Sequence, residues 1–324
     1  MATRDGSAPF GRVGDGLVSL IAPATERDRS RRRIVALAAP FLALAAFGAF
    51  VPLATMLRMS TSTSNFAVQG FTLAAYERLF TSILAAVPGA RIDANPVYGQ
   101  VIWNSLWFGA ATTVASVVVG VAIAHGLEKY DLPKEGLLVT LISFPISLPG
   151  IVAAFMMIVW FGKTGVLTKV LSVFTGASPD ALALTGQPSG TLLAITGLFF
   201  GYLYSMIPRA TFLLRGSYAE VNTDAEEAAR ALGATPWQTF RYVTLPQIQP
   251  GIVGALILTF RTALAIFGTV LVLKALSVIT FRFNQEISVG FNLQMASALA
   301  TVFFVFTVVF TFLSLRLTSA EVAG

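Results

Sequence analysis

Few side chains here are equipped for bond-making chemistry, and the polar residues with informative spacing crowd into one stretch. Cysteine is absent and His125 is the sole histidine. That removes disulfides, thiolate nucleophiles and multi-histidine metal sites, so no catalytic or metal-ligating set is expected. No Gly-x4-Gly-Lys-Ser/Thr run occurs, so the chain has no phosphate-cradling loop of that kind and is not expected to hydrolyse ATP or act as an enzyme. The crowded stretch is 218–246, which opens Tyr218-Ala219-Glu220-Val221-Asn222-Thr223-Asp224-Ala225-Glu226-Glu227-Ala228-Ala229-Arg230. Thr223 and Glu226 have the spacing of a capping box, which predicts a helix start. Gly233 predicts its end, since glycine enters the left-handed conformation that helix stops need. Thr235, Pro236 and Gln238 predict a second capped helix running to about Tyr242, where Leu245-Pro246 closes it.

The elements around this stretch follow from composition. Of 324 residues, 55% are hydrophobic and 12% charged, with mean hydropathy +0.75. Soluble domains carry roughly twice that charged fraction, about 25%. Apolar runs near the length that crosses a bilayer cover 34–57, 101–125, 137–161, 191–207, 252–273 and 295–315. The expected fold is therefore an all-α integral membrane protein with six transmembrane helices. Pro208-Arg209 marks the end of the fourth, with 210–214 as a possible cytoplasmic extension.

Lys and Arg set the orientation, because positive loops stay cytoplasmic. Arg4, Arg12, Arg27, Arg29, Arg31, Arg32, Arg33, Lys129, Lys134, Arg209, Arg215, Arg230, Arg241 and Arg316 fall on one side, outnumbering Arg58, Arg78, Arg91, Lys163, Lys169, Lys274 and Arg282 on the other. Both termini are thus placed in the cytoplasm, and the net charge of +6 has a topological origin rather than a nucleic-acid partner. Residues 1–33 read as a cytoplasmic tail and 34–324 as the permease domain with its coupling loop at 218–246. The first apolar run is too long and starts too late for a cleaved signal peptide. Outside the cell, 71–80 has the periodicity of a short surface helix, and with 163–190 it forms a face for an external partner.

Glu227-Ala228-Ala229, then Gly233, then Val243-Thr244-Leu245-Pro246 resembles the EAA loop of ABC-importer permeases. The family pattern has isoleucine where Val243 stands. The resemblance runs from about the first span to the end of the chain and implies the type I importer permease fold. It also implies a second permease, identical or paralogous, two ATP-binding cassette subunits and an external substrate-binding protein, with the chain seated in the lipid bilayer. This chain would bind no cofactor, since ATP and Mg belong to the ATPase. The loop helix would dock in a groove of that ATPase, Ala228 and Ala229 permitting close approach and Glu227 offering a charge-assisted bond. Gly233, Val243, Leu245 and Pro246 complete the motif. The plain alternative is a solvated helix that only connects two spans, which would not require so many coinciding spacings.

Within the spans, Arg261 is the ionisable residue that the bilayer penalises, and no drawn span holds an Asp or Glu to pair with it. Its expected role is structural or cargo contact. Pro145, Pro149 and Gly150 interrupt the third span, which predicts broken backbone lining the path or a subunit interface. A plain packing kink is the alternative. The runs 148–152, 161–167 and 260–269 look most like the spermidine/putrescine, phosphonate, iron and thiamine permeases. A polyamine or aminoethylphosphonate-like cargo is the favoured reading, with iron, thiamine, sulfate/molybdate or sugar as alternatives. Ile266 stands where many of those permeases carry Glu, which counts against the oxyanion members. A secondary transporter or channel would be a different class, but it predicts ionisable residues in several spans.

Overall fold

The structure, a computed structural model, describes residues 26–89 and 91–322, and the regular structure among them is entirely helical. Six helices or helix pairs are long and apolar enough to cross a membrane: Arg33–Ser60, Val97–Lys129, Gly150–Thr175, Leu192–Tyr218, Pro236–Ala265 and Leu293–Ser314. Helix α1, Glu26–Ser60, begins inside the segment read as a tail. Residues 1–25 of that tail lie outside the described residues. Pro40 and Pro52 sit within α1, and the Thr55 hydroxyl donates to the Pro52 carbonyl at 2.8 Å.

Residues from Met59 onward form a compact unit of their own. Its centre is made by α3, Val97–Lys129, α8, Leu192–Tyr218, and α11, Leu245–Ala265. Phe108, Leu198, Tyr202, Met206 and Val270 form one buried cluster and Val117, Ala210, Leu214, Tyr218 and Ile248 another. Lipid supplies no hydrophobic drive between helices, so close approach at small residues has to hold such a bundle. A Cβ on Gly120 would lie 3.0 Å from Ala210 Cβ, and one on Gly251 would fall 1.8 Å from Ser217 Oγ. These two crossings fix α8 against α3 and α11.

Several sequence expectations are corrected. The 71–80 segment becomes α2, Ala74–Ala85, and it is not merely superficial, since Ala75 and Leu79 are buried against Met295 and Leu299. Those two residues belong to α14, Leu293–Val322. The run 137–161 is broken where Pro145, Pro149 and Gly150 predict, into α4, Glu135–Ser147, and α5, Gly150–Phe161, but the crossing segment begins at Gly150 and extends to Thr175. Pro149 lacks a donor N–H and heads the second piece. Helices α6, Val166–Thr175, and α7, Pro179–Leu182, follow.

The fourth span does not stop at Pro208-Arg209, because α8 runs through both to Tyr218. Hence Arg209 is no loop charge. The fifth span breaks at Ile266-Phe267, after which come α12, Gly268–Leu273, and α13, Ile279–Ser288. The two breaks meet. Thr269 Oγ1 donates to the Gly150 carbonyl at 3.2 Å, and a Cβ on Gly268 would be 2.9 Å from Ile151 N. Irregular backbone at membrane depth is tolerated where protein surrounds it, and each break here shields the other.

Candidate functional site

Two short helices leave the end of α8: α9, Thr223–Ala231, and α10, Pro236–Thr239. The first is capped one residue earlier than the spacing predicts, by Asn222, whose side chain accepts from the backbone of Asp224 and Ala225. That shift puts Glu226 on the fourth helical residue and frees its carboxylate from capping duty. Gly233 takes φ +89°, as expected of a helix stop. The Thr235 and Gln238 box is complete, with the Gln238 amide oxygen 2.8 Å from Thr235 N and the Thr235 hydroxyl accepting from Gln238 N. Pro246 does not close the second helix. A π turn, Phe240–Thr244, joins α10 to α11 in one continuous span, and Pro246 sits just after it without ending the helix.

The pair is latched to the bundle by Glu226, which is 3% exposed. Lys129 Nζ, at the end of α3, lies 2.7 Å from its carboxylate, the Thr244 hydroxyl donates to the other oxygen, and Arg230 stands at 3.8 Å. Burial pushes the Glu226 carboxyl up. The hydrogen bonds from Lys129 and Thr244 and the charges of Lys129 and Arg230 outweigh that and hold it below its ordinary value. Beside this latch the His125 ring packs edge-on to Phe240 at 4.8 Å and within 6 Å of Tyr130 and Tyr218. Arg215 reinforces the same end by pairing with Glu128 and Glu135, which joins α8 to the end of α3 and the start of α4.

The motif residues fall into two sets. Glu227, Ala228 and Gly233 are exposed on the outer side of the pair. Ala229, Gly233 and Val243 line a shallow concavity with Leu232, Gln238 and Tyr242. Leu232 is 90% exposed, Trp237 67% and Tyr242 71%, large apolar surface for so small an element. Leu245 instead packs against the buried cluster around Ile248, and Pro246 is exposed in the first turn of α11, so these two shape the exit of the motif. The acid that sequence reasoning passed over is Glu226. Its adjacency to Glu227 hid which of the two faces inward, and its partner Lys129 lies far off in sequence.

Gly233→Ala is expected to weaken the turn by about 1–2 kcal/mol, the cost of a left-handed alanine. Nothing lies within 4 Å of the added Cβ, so the penalty is one of backbone alone. Faster protease cleavage near 233 in the purified complex checks it.

In the membrane, Arg261 lies exposed in a cleft of about 410 Å³ lined by Ile146, Met206, Arg209, Phe212, Leu213, Leu258, Thr259 and Thr262. Neither arginine has a carboxylate within ion-pair distance among the described residues. Arg209 Nη1 donates to the Ser205 carbonyl at 3.3 Å. Of the other pathway candidates, Pro145 lies within α4, Pro149 precedes α5, and Gly150 is at the crossing with Thr269.

An all-helical chain with six spans, two of them broken against each other, and a latched helix pair between the fourth and fifth has the fold of an ABC-importer permease. Solved alginate importers share it: one superimposes with TM-score 0.74 at 16% identity over 91% of this chain and 98% of its own. A second, captured in complex with an alginate pentasaccharide-bound periplasmic protein, gives 0.70 at 17% identity over 89% and 94%. Residues 116–320, more than half of the chain, match the family described as binding-protein-dependent transport system inner membrane component, and the chain belongs to that family. It is a multi-pass membrane protein.

Among named relatives, the sulfate transport system permease protein CysW of Synechococcus elongatus is 30% identical over 54% of this chain and 57% of its own length. The spermidine/putrescine transport system permease protein PotB of Haemophilus influenzae is 25% identical over 77% and 86%. The sulfate transport system permease protein CysT of Escherichia coli is 29% identical over 75% and 91%. The first of these matches thus spans little more than half of its relative.

Proposed function

We propose that this chain forms half of the translocation pathway of an ATP-driven importer, taking a small solute from an external binding protein, and that the pair 223–239 is where a cytoplasmic ATPase docks. The carrying observation is the division of labour within that pair. Glu226 ties it to α3 and to the π turn, while Glu227, Ala228 and Gly233 stay uncovered beside exposed Leu232, Trp237 and Tyr242. A rigidly held element with small residues and apolar side chains outward suits insertion into a groove.

The chain itself does no chemistry in this reading. ATP and Mg are handled by two ATPase subunits, and a second permease, identical or paralogous, completes the path as the halves rock about it. Residues 34–324 act as the permease domain and 218–246 as its coupling loop, both chain ends lying in the cytoplasm. Cargo belongs to the polyamine or aminoethylphosphonate class that the motifs suggest. The relatives leave room for either charge type, since a spermidine/putrescine permease and two sulfate permeases stand among them.

Ala228→Trp and Glu227→Lys test the docking role. Each is expected to lower ATPase co-purification at least tenfold while the permease stays in the membrane fraction with unchanged thermal unfolding. Wild-type retention of the ATPase by both variants would refute it.

A further inference from the structure

We propose that the cleft between α8 and α11 receives an anionic group of the cargo, an oxyanion such as sulfate, phosphate or phosphonate, held by Arg209 and Arg261. This rests on the importer reading, and of its two cargo types it takes the phosphonate side, extended to other oxyanions, against the polyamine side.

The two arginines sit at one depth. Ser217 and Gly251 mark a point where α8 and α11 touch. Counting away from the cytoplasmic end, Arg209 is eight residues along one helix (217 to 209) and Arg261 ten along the other (251 to 261), or about 12 and 15 Å at a rise of ~1.5 Å per residue. Their side chains enter the same cleft beside Ile146, Met206, Phe212 and Leu258. The level lies within the bundle: Ala210 touches Gly120, nine residues, or about 13 Å along α3, from Lys129 at its end.

Two guanidinium groups at that depth demand compensation. Each has five N–H donors and no acceptor, and a charge near the bilayer centre persists when it faces an aqueous path or a partner. The bond from Arg209 to the Ser205 carbonyl uses one donor. Helices α8 and α11 contain no Asp or Glu at all. The carboxylate of α4, Glu135, is taken by Arg215 at the cytoplasmic end. An identical second permease would likewise carry no Asp or Glu on its own α8 and α11. What satisfies the cleft is therefore a transient anion, and planar donor forks match the oxygens of phosphate-like groups in bidentate fashion. A polyamine would meet repulsion there instead.

The test uses the complete transporter, this permease with its second permease, ATPase and binding protein, in proteoliposomes, with labelled sulfate, phosphate, 2-aminoethylphosphonate and putrescine as probes. At least one oxyanion is expected to accumulate and putrescine is not. Arg209→Gln and Arg261→Gln should each raise KM for that oxyanion tenfold or more, with lysine at either position restoring part of the loss. Gel filtration should show the variants still assembled with both partners. Putrescine uptake, uptake of none of the oxyanions by a complex that retains its ATPase, or unchanged KM in the double variant would overturn the proposal. So would a co-purifying anionic phospholipid that is lost from the double variant while uptake stays normal, since the cleft would then be a lipid site. Loss of the permease pair in the variants, with uptake abolished rather than KM raised and no recovery with lysine, would assign the arginines to the subunit interface and equally defeat it. Failure of the importer reading looks different, because no ATPase would then co-purify.

Discussion

Glu226→Ala is expected to cut ATP-driven uptake at least tenfold while the six spans remain in the membrane. The carboxylate is 3% exposed and its partner Lys129 12%, so the alanine leaves an ammonium group buried without a counter-charge. Removing one member of a buried pair typically costs about 3–5 kcal/mol, far more than the pair contributes relative to apolar residues of the same shape. The loss falls on the attachment. Three ties, to α3 through Lys129, to the π turn through Thr244 and within α9 through Arg230, end on this one side chain. With them gone, the helix pair would pivot on its links to α8 and α11, and ATPase movement would no longer reach the bundle.

Glu226→Gln should fall between, since an amide keeps the shape and a hydrogen bond to Lys129 but not the charge. Lys129→Met combined with Glu226→Met should recover thermal stability without full uptake, because the void is filled but the directional tie is absent. Uptake within twofold of wild type in Glu226→Ala would show that the latch is unnecessary.

The sign of the pH dependence follows from the same geometry. The folded Glu226 carboxyl lies below its ordinary value of 4.5. Its contribution is therefore complete above that ordinary value and is lost as pH falls through the lower folded value. Protease resistance of the 218–246 loop should stay flat from neutrality to about pH 5, and the Glu226→Gln variant should lack the acid-induced loss seen below it.

Much of this was legible before any coordinates because lipid makes strong demands. Runs of twenty apolar residues announce spans, and the Gly233 stop and the Thr235 box depend only on neighbours in sequence. What escaped depends on contacts between distant segments. Asn222 rather than Thr223 caps α9, and that single step decides that Glu226 reaches Lys129 instead of bending back onto its own first turn. Arg209 looked like a loop charge because Pro208 precedes it, yet the bundle carries α8 through both residues and places the guanidinium in a cleft. The apolar run across 252–273 disguised a break, since hydropathy registers composition and not hydrogen bonding, whereas the break in 137–161 was announced by its prolines. Nothing in the run Ala265-Ile266-Phe267-Gly268 marked the disguised break except a glycine whose purpose is the close approach to Ile151.

The crossing of α8 and α11 that brings the two arginines level yields the second large effect. In an open helix, Gly→Ala is favourable by about 1 kcal/mol, because alanine has less backbone freedom to lose. Gly254, one turn on, has nothing within 4 Å of an added Cβ, so Gly254→Ala should leave thermal unfolding unchanged or raised. At Gly251 the same atom would fall 1.8 Å from Ser217 Oγ and 2.5 Å from its Cβ. Turning the hydroxyl away relieves the first overlap but not the second. The helices must then part, and overpacking of this kind costs about 1–3 kcal/mol.

Gly251→Ala is therefore expected to lower the unfolding temperature and cut uptake severalfold as Arg209 and Arg261 are drawn apart. Ser217→Ala should not rescue it, because the Cβ overlap remains. Ser217→Gly should, since exchanging which helix carries the methyl group restores the approach. A Ser217→Gly/Gly251→Ala double variant no better than Gly251→Ala alone would mean that the damage arises elsewhere, and that this crossing does not set the level of the cleft.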